Sequence, residues 1–162
     1  MKQYINYSLK EYMNALAARE PVPGGGSAAA LTAAAGTGLL LMAAQYSTGK
    51  TGTPAREKKL KQLVKKGRSI KSRLMDLVDL DAVSYLNVVK ARKLKAGAQR
   101  KALRQAQKVP QEICRLCFDA VEMTPFLVKR GNPNLLSDVE VALELLWSAF
   151  RSARTLAAIN SE

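Results

Sequence analysis

Histidine is absent from this 162-residue chain, and cysteine occurs only at Cys114 and Cys117. The two thiols lie three positions apart in a helical pattern, with no second pair. That is too few ligands for a structural zinc site, so no metal site is expected. Reduced thiols packed in a core fit a cytoplasmic protein, which is the expected location. Aromatic residues make up 6% of the chain, and no zinc finger, RNA-recognition signature or helix-turn-helix spacing stands out. No alternating run of β-branched residues occurs, and no hairpin turn joins two such runs, which argues against a sheet. The N-terminus lacks the basic, apolar, small-residue layout of a signal peptide. Residues 28–46 carry no charge and are long enough to span a membrane. Ala, Gly and Thr dominate them, however, polar loop follows, and no second span exists, so a buried helix is expected there instead.

Acidic residues are scarce in one region only. Between positions 50 and 108 there are 18 Lys and Arg against four acids, a balance of +14. The remaining chain has 8 basic and 9 acidic residues, and the whole chain carries +13. Such a segment attracts polyanions of any kind; it equally serves as a solvated face that keeps the protein soluble.

What the sequence does contain is helix punctuation. Ser8 and Glu11 form a capping box that opens a helix to about position 19, ended by Glu20-Pro21. Pro21-Val22-Pro23-Gly24-Gly25-Gly26-Ser27 then makes a rigid approach, a bend and an expected N-cap at Ser27. Such a corner leaves backbone donors uncovered at a helix N-terminus. The uncharged helix over 27–46 has small residues at Ala29, Ala33, Gly36 and Ala44. They let neighbours approach closely, and cover from a second subunit is expected. Thr53-Pro54 starts a long helix to about position 95, with Leu60, Leu63, Gly67, Ile70, Leu74, Leu77, Asp81, Tyr85 and Val88 on one stripe. A helical region over 98–130 is expected to break or kink at Pro110 and again at Pro125. Gly131-Asn132-Pro133-Asn134 is a turn. Ser137 and Glu140 read as a second capping box opening the last helix, to about Asn160. These patterns predict an all-α fold, an antiparallel up-and-down bundle of five to six helices in a single domain over 1–162.

Two acids sit on apolar faces, Asp81 in the long helix and Asp138 at the start of the last one. Burial raises a carboxyl pKa into a range useful for proton transfer. A structural hydrogen-bonding role is the alternative for Asp81.

The ordered set Pro23 to Ser27, Thr48-Gly49-Lys50, Asp79-Leu80-Asp81-Ala82 before Tyr85, Val109-Pro110, Gly131 to Asn134 leading into Ser137-Asp138, and Asn160 resembles the cyclodeaminase/cyclohydrolase family. This is the formiminotransferase-cyclodeaminase C-terminal domain with its stand-alone methenyltetrahydrofolate cyclohydrolases. The resemblance covers about residues 5 to 160. It departs in the middle segment, which is more basic here than the family's mixed-charge helices. The family's usual further helix falls beyond Glu162.

The resemblance implies an all-helical homodimer that binds a reduced folate, including polyglutamylated forms, near the subunit interface. It needs no separate cofactor and no membrane. The implied reaction is hydrolysis of 5,10-methenyltetrahydrofolate to 10-formyltetrahydrofolate; the alternative is cyclisation of 5-formiminotetrahydrofolate with loss of ammonia. Both pass through a tetrahedral carbon. Asp81 and Asp138 are the catalytic candidates. Gly24, Gly25, Gly26, Ser27, Lys50, Tyr85, Asn132, Asn134 and Ser137 are the substrate-binding ones, with Lys50 set for the glutamate tail. The rival readings are a non-catalytic basic module that binds nucleic acid or another acidic partner, and an inactive relative that keeps the scaffold.

Overall fold

The structure is a computed structural model that describes residues 3–49 and 52–159. Among the described residues six α-helices follow one another: α1 Leu9–Ala17, α2 Gly25–Ser47, α3 Pro54–Ala91, α4 Ala96–Val121, α5 Thr124–Arg130 and α6 Leu136–Ile159. Short 3-10 turns at Tyr4–Asn6 and Pro133–Leu135 precede α1 and α6. No strand occurs among the described residues. The expected all-α bundle is therefore the observed one.

Helix α2 is the centre. It packs on both α3 and α6 along its length and touches α4. Its direction against its neighbours follows from the points of closest approach. Gly26 meets Asp81 of α3, whereas Leu41 lies over Gly67. Gly25 meets Leu156 of α6, whereas Gly36 meets Ala142 and Leu146. Both neighbours thus run antiparallel to α2. The Arg73–Glu112 and Lys66–Glu122 pairs show that α4 runs antiparallel to α3. The result is an up-down-up-down arrangement of α2, α3, α4 and α6, with α5 as a short linker.

Small residues make α2 buriable. Ala30, Ala33, Ala34, Gly36, Ala43 and Ala44 are buried. Its buried hydroxyls bond their own helix: Thr37 Oγ1 donates to the Ala33 carbonyl at 2.8 Å, and Ser47 Oγ to the Ala43 carbonyl at 2.7 Å. These two hydroxyl protons are satisfied within the helix. By length and composition α2 passes for a membrane span, yet most of it is enclosed by the bundle.

Several local expectations are corrected. Ser27 is not the N-cap of α2; Gly24 holds that position without a side-chain bond. The Ser27 hydroxyl instead turns inward to Tyr12, and the helix start is capped from outside by Asp81. Ser137 and Glu140 form no capping box, because α6 already starts at Leu136 and follows directly from the 3-10 turn capped by Asn132. The long helix stops at Ala91, and the first one at Ala17. The fourth helix does not break at Pro110 but runs through it. Val109 and Pro110 are both buried, and core packing there outweighs the lost N–H bond. Pro125 does mark a boundary, near the start of α5. The capping box at Ser8 and Glu11 forms as expected.

Gly36 separates packing from propensity. A Cβ there would lie 3.0 Å from both the Ala142 carbonyl oxygen and Leu146 Cγ, while one at Gly38 meets nothing within 4 Å. Gly36→Ala is expected to destabilise the protein by about 1–3 kcal/mol. Gly38→Ala should be neutral or gain up to ~1 kcal/mol from helix propensity. Urea unfolding of the two variants checks the contrast.

Candidate functional site

The site begins with the proline–glycine corner. Tyr4 fastens it: its backbone N–H donates to Asp79 Oδ1 at 2.6 Å, and its phenol donates to the Val22 carbonyl at 3.0 Å. The strap before α2 is thereby clasped to α3. Asp81, two residues beyond Asp79, fixes the helix itself. Its Oδ2 accepts the Ser27 N–H at 3.0 Å. Beneath it the Ser27 and Tyr12 hydroxyls share a buried 3.0 Å hydrogen bond.

Burial pushes the Asp81 carboxyl above its ordinary value, and the Ser27 N–H pulls it part of the way back. Desolvation disfavours the charged form and the bond favours it; here desolvation dominates. Burial likewise raises the Tyr12 phenol, opposed by its bond to Ser27. The Gly25 and Gly26 N–H groups, at the positive end of α2, make no hydrogen bond among the described residues. A raised carboxyl thus stands beside two open donors.

These groups face a cleft of about 380 Å³ between the corner, α3, α4 and the end of α6. Gly24, Gly25, Gly26, Asp81 and Tyr85 line it, as do Ser84, Arg92, Ala106, Pro110 and Leu156. Tyr85 is not core, as its stripe position suggested: it is 43% exposed and stands on the cleft wall. Ser27 holds the wall from behind, since it is fully buried and does not line the cleft.

The other half of the expected set lies elsewhere. The Asn132 N–H donates to Ser47 Oγ at 2.8 Å, at the far end of α2, and Asn132 Oδ1 accepts the Asn134 N–H at 3.1 Å. Ser27 and Ser47 are twenty residues apart on one helix, or about 30 Å. Asp138 is one turn before Ala142, the residue opposite Gly36. It therefore sits about 20 Å from Asp81 along the α2 axis. Within one chain the two aspartates do not meet. Asn132, Asn134, Ser137 and Asp138 form a second cluster, apart from the glycine corner. Lys50 and Asn160 lie outside the described residues.

Sequence reasoning missed the clasp. Tyr4 and Asp79 carry no pattern that pairs residues 75 apart. Tyr12 was visible only as one more apolar-face residue of the first helix. Among the described residues no group of His, Cys, Asp or Glu could hold a metal ion.

A Cβ at Gly26 would run into the Asp81 carboxylate, whereas one at Gly24 meets nothing within 4 Å. Gly26→Ala is expected to displace Asp81, lowering stability by about 1–3 kcal/mol and abolishing cleft function. Gly24→Ala should leave stability unchanged. Thermal melts and a ligand titration on both variants test this.

Residues 8–162 match the family described as formiminotransferase-cyclodeaminase. The methenyltetrahydrofolate cyclohydrolase of Methylorubrum extorquens is 28% identical, over 97% of this chain and 80% of that protein. The formimidoyltransferase-cyclodeaminase of Mus musculus is 30% identical over 88% of this chain, which spans only 28% of that longer protein. The crystal structure of formiminotetrahydrofolate cyclodeaminase from Thermotoga maritima superposes with a TM-score of 0.92 at 30% identity. It covers 96% of this chain and 78% of that one. Relatives named for each of the two activities thus stand at similar distance from this sequence, and the match along its length shows that the chain belongs to the formiminotransferase-cyclodeaminase family, whose members act on folate one-carbon units.

Proposed function

We propose that the protein hydrolyses 5,10-methenyltetrahydrofolate to 10-formyltetrahydrofolate. The observation that carries this reading is the Asp81 carboxyl, raised by burial and set beside the open Gly25 and Gly26 N–H groups in the cleft. A water held by the Asp81 carboxylate gives up its proton as its oxygen bonds to the cationic methenyl carbon. The tetrahedral carbon then breaks its bond to one ring nitrogen. Asp81 returns the proton to that nitrogen, and the hydroxyl loses its own proton to solvent as the formyl C=O forms. The glycine N–H groups stabilise the oxygen as charge develops on it. The ionised carboxylate also favours the cationic substrate.

Cyclisation of 5-formiminotetrahydrofolate is the second reading, favoured by the Thermotoga maritima neighbour. The same carbon is then tetrahedral, and ammonia departs in place of a ring nitrogen.

The test is the ultraviolet band of methenyltetrahydrofolate. It should disappear faster with protein than in buffer, and no acceleration would remove the first reading. Formimino substrate with ammonia detection decides the second. Asp81→Asn should slow turnover about 10²-fold or more while leaving the fold intact, because the amide oxygen still accepts the Ser27 N–H. With Asp81 as the base, activity should fall as pH drops through its raised pKa, the acidic limb lying above the ordinary carboxylate value. On stability the sign is opposite. A raised folded-state pKa favours the fold at low pH, and that contribution is lost as pH rises through it.

We further propose that the active form is a homodimer in which the Asn132–Asp138 cluster of a second copy faces the Asp81 cleft. The roughly 20 Å that separates the two aspartates within one chain is the ground for this. If both aspartates are needed at one site, Asp81→Asn and Asp138→Asn chains are each inactive alone. Refolded together, they regain part of the activity, since one site of the mixed dimer has both acids. Absence of recovery in a demonstrated mixed dimer would discard the shared site.

The glutamate tail of such a substrate has a charge-matched path. Residues 82–111 contain eight Lys and Arg and no acid. Arg92 lines the cleft, and Arg100, Lys101, Arg104 and Lys108 line an open groove on the outer side of α4. In the same assay, substrates with more glutamates should show a lower KM at low salt, with the advantage fading as salt rises.

A further inference from the structure

Pro110 is the one proline inside a long helix here. An α-helix joins the N–H of each residue to the carbonyl four positions back. Proline has no N–H, so the Ala106 carbonyl lacks its helical donor. Elsewhere such a carbonyl turns to water. Here Ala106 and Pro110 both line the cleft, opposite the wall that bears Asp81 and Tyr85. The cost of an interior proline, about 3 kcal/mol in an exposed helix, falls at one spot in α4, and that spot is the cleft wall.

The polar inventory of the cleft gives this carbonyl its meaning. The Gly25 and Gly26 N–H groups and Arg92 supply donors, and the Ser84 and Tyr85 hydroxyls can both donate and accept. The Val22 carbonyl is taken by the Tyr4 phenol, and one Asp81 oxygen by the Ser27 N–H. A flat, donor-bearing ring that enters therefore finds the second Asp81 oxygen and the two hydroxyls as acceptors on the α3 side, and the Ala106 carbonyl on the α4 side. We infer that Pro110 keeps the Ala106 carbonyl open as an acceptor for a ring N–H or amino group of the bound substrate, and so fixes which edge of the ring meets α4. Pro110 acts through Ala106 and is a positioning residue. The inference rests on the folate reading, because the reduced pterin ring carries such donors along one edge.

The variant that isolates it is Pro110→Ala, which returns an N–H to the helix and satisfies the Ala106 carbonyl internally. Its melting temperature should stay close to that of wild type, since the regained hydrogen bond offsets the lost packing of the buried ring. The Kd and KM for methenyltetrahydrofolate should rise about five- to tenfold, with kcat little changed. An analogue with the ring amino group replaced by methyl should bind wild type more weakly than the parent compound and lose most of that difference in the variant. Unchanged affinity in Pro110→Ala overturns the inference. So does a fall in melting temperature together with an equal loss of both compounds, which would mark Pro110 as packing alone. Wild type that neither binds nor turns over any folate would overturn the folate reading, which separates the two failures.

Discussion

A single carboxylate bridges the parts on which this structure depends. Asp81 comes from the middle of the long helix α3 and receives the N–H of Ser27, in the first turn of α2. Helix α2 has no side-chain cap of its own. Its first turn therefore relies on an acid 54 residues away in sequence. Gly26 is what permits the approach, because any Cβ there would occupy the carboxylate's place. The same contact that closes the bundle's centre sets a desolvated acid beside free backbone donors. The helix start and the wall of the cleft thus share one carboxyl group.

Helix α2 is also a ruler. Its start is bound to Asp81, its end to Asn132 through Ser47. A straight helix of this length keeps the two clusters apart. The residues that share a family pattern in sequence thus divide, in one chain, into two groups at the two ends of one element. That division is a consequence of the charge-free, small-residue composition of α2, which allows it to run unbroken through the core.

The helices were legible in the sequence because hydrophobic period and end signals are local. Ser8 with Glu11, the Thr53-Pro54 start and the apolar stripe of α3 from Leu60 to Leu77 all read correctly. Pro110 ends no helix for a physical reason: the penalty for an interior proline is local, and the burial around it is not. Ser27 misled for a similar reason. Its type fits a cap, but Tyr12 offered its hydroxyl a buried partner and Asp81 took over the helix end. Asp81 itself was legible as an acid placed on an apolar stripe. Its partner was not, since nothing local links positions 27 and 81.

By itself the sequence determined the class of fold, the burial of α2 and the concentration of positive charge in the middle of the chain. Those properties follow from composition and from spacings of a few residues. Only the tertiary structure decided that the glycine corner and Asp81 share a wall, that Tyr85 stands on the cleft and not in the core, and that Asp138 sits at the other end of α2. Such relations depend on how antiparallel helices register against one another. That register is set by where small residues such as Gly26, Gly36 and Gly67 let backbones and side chains approach, a property of pairs of elements that no single stretch of sequence contains.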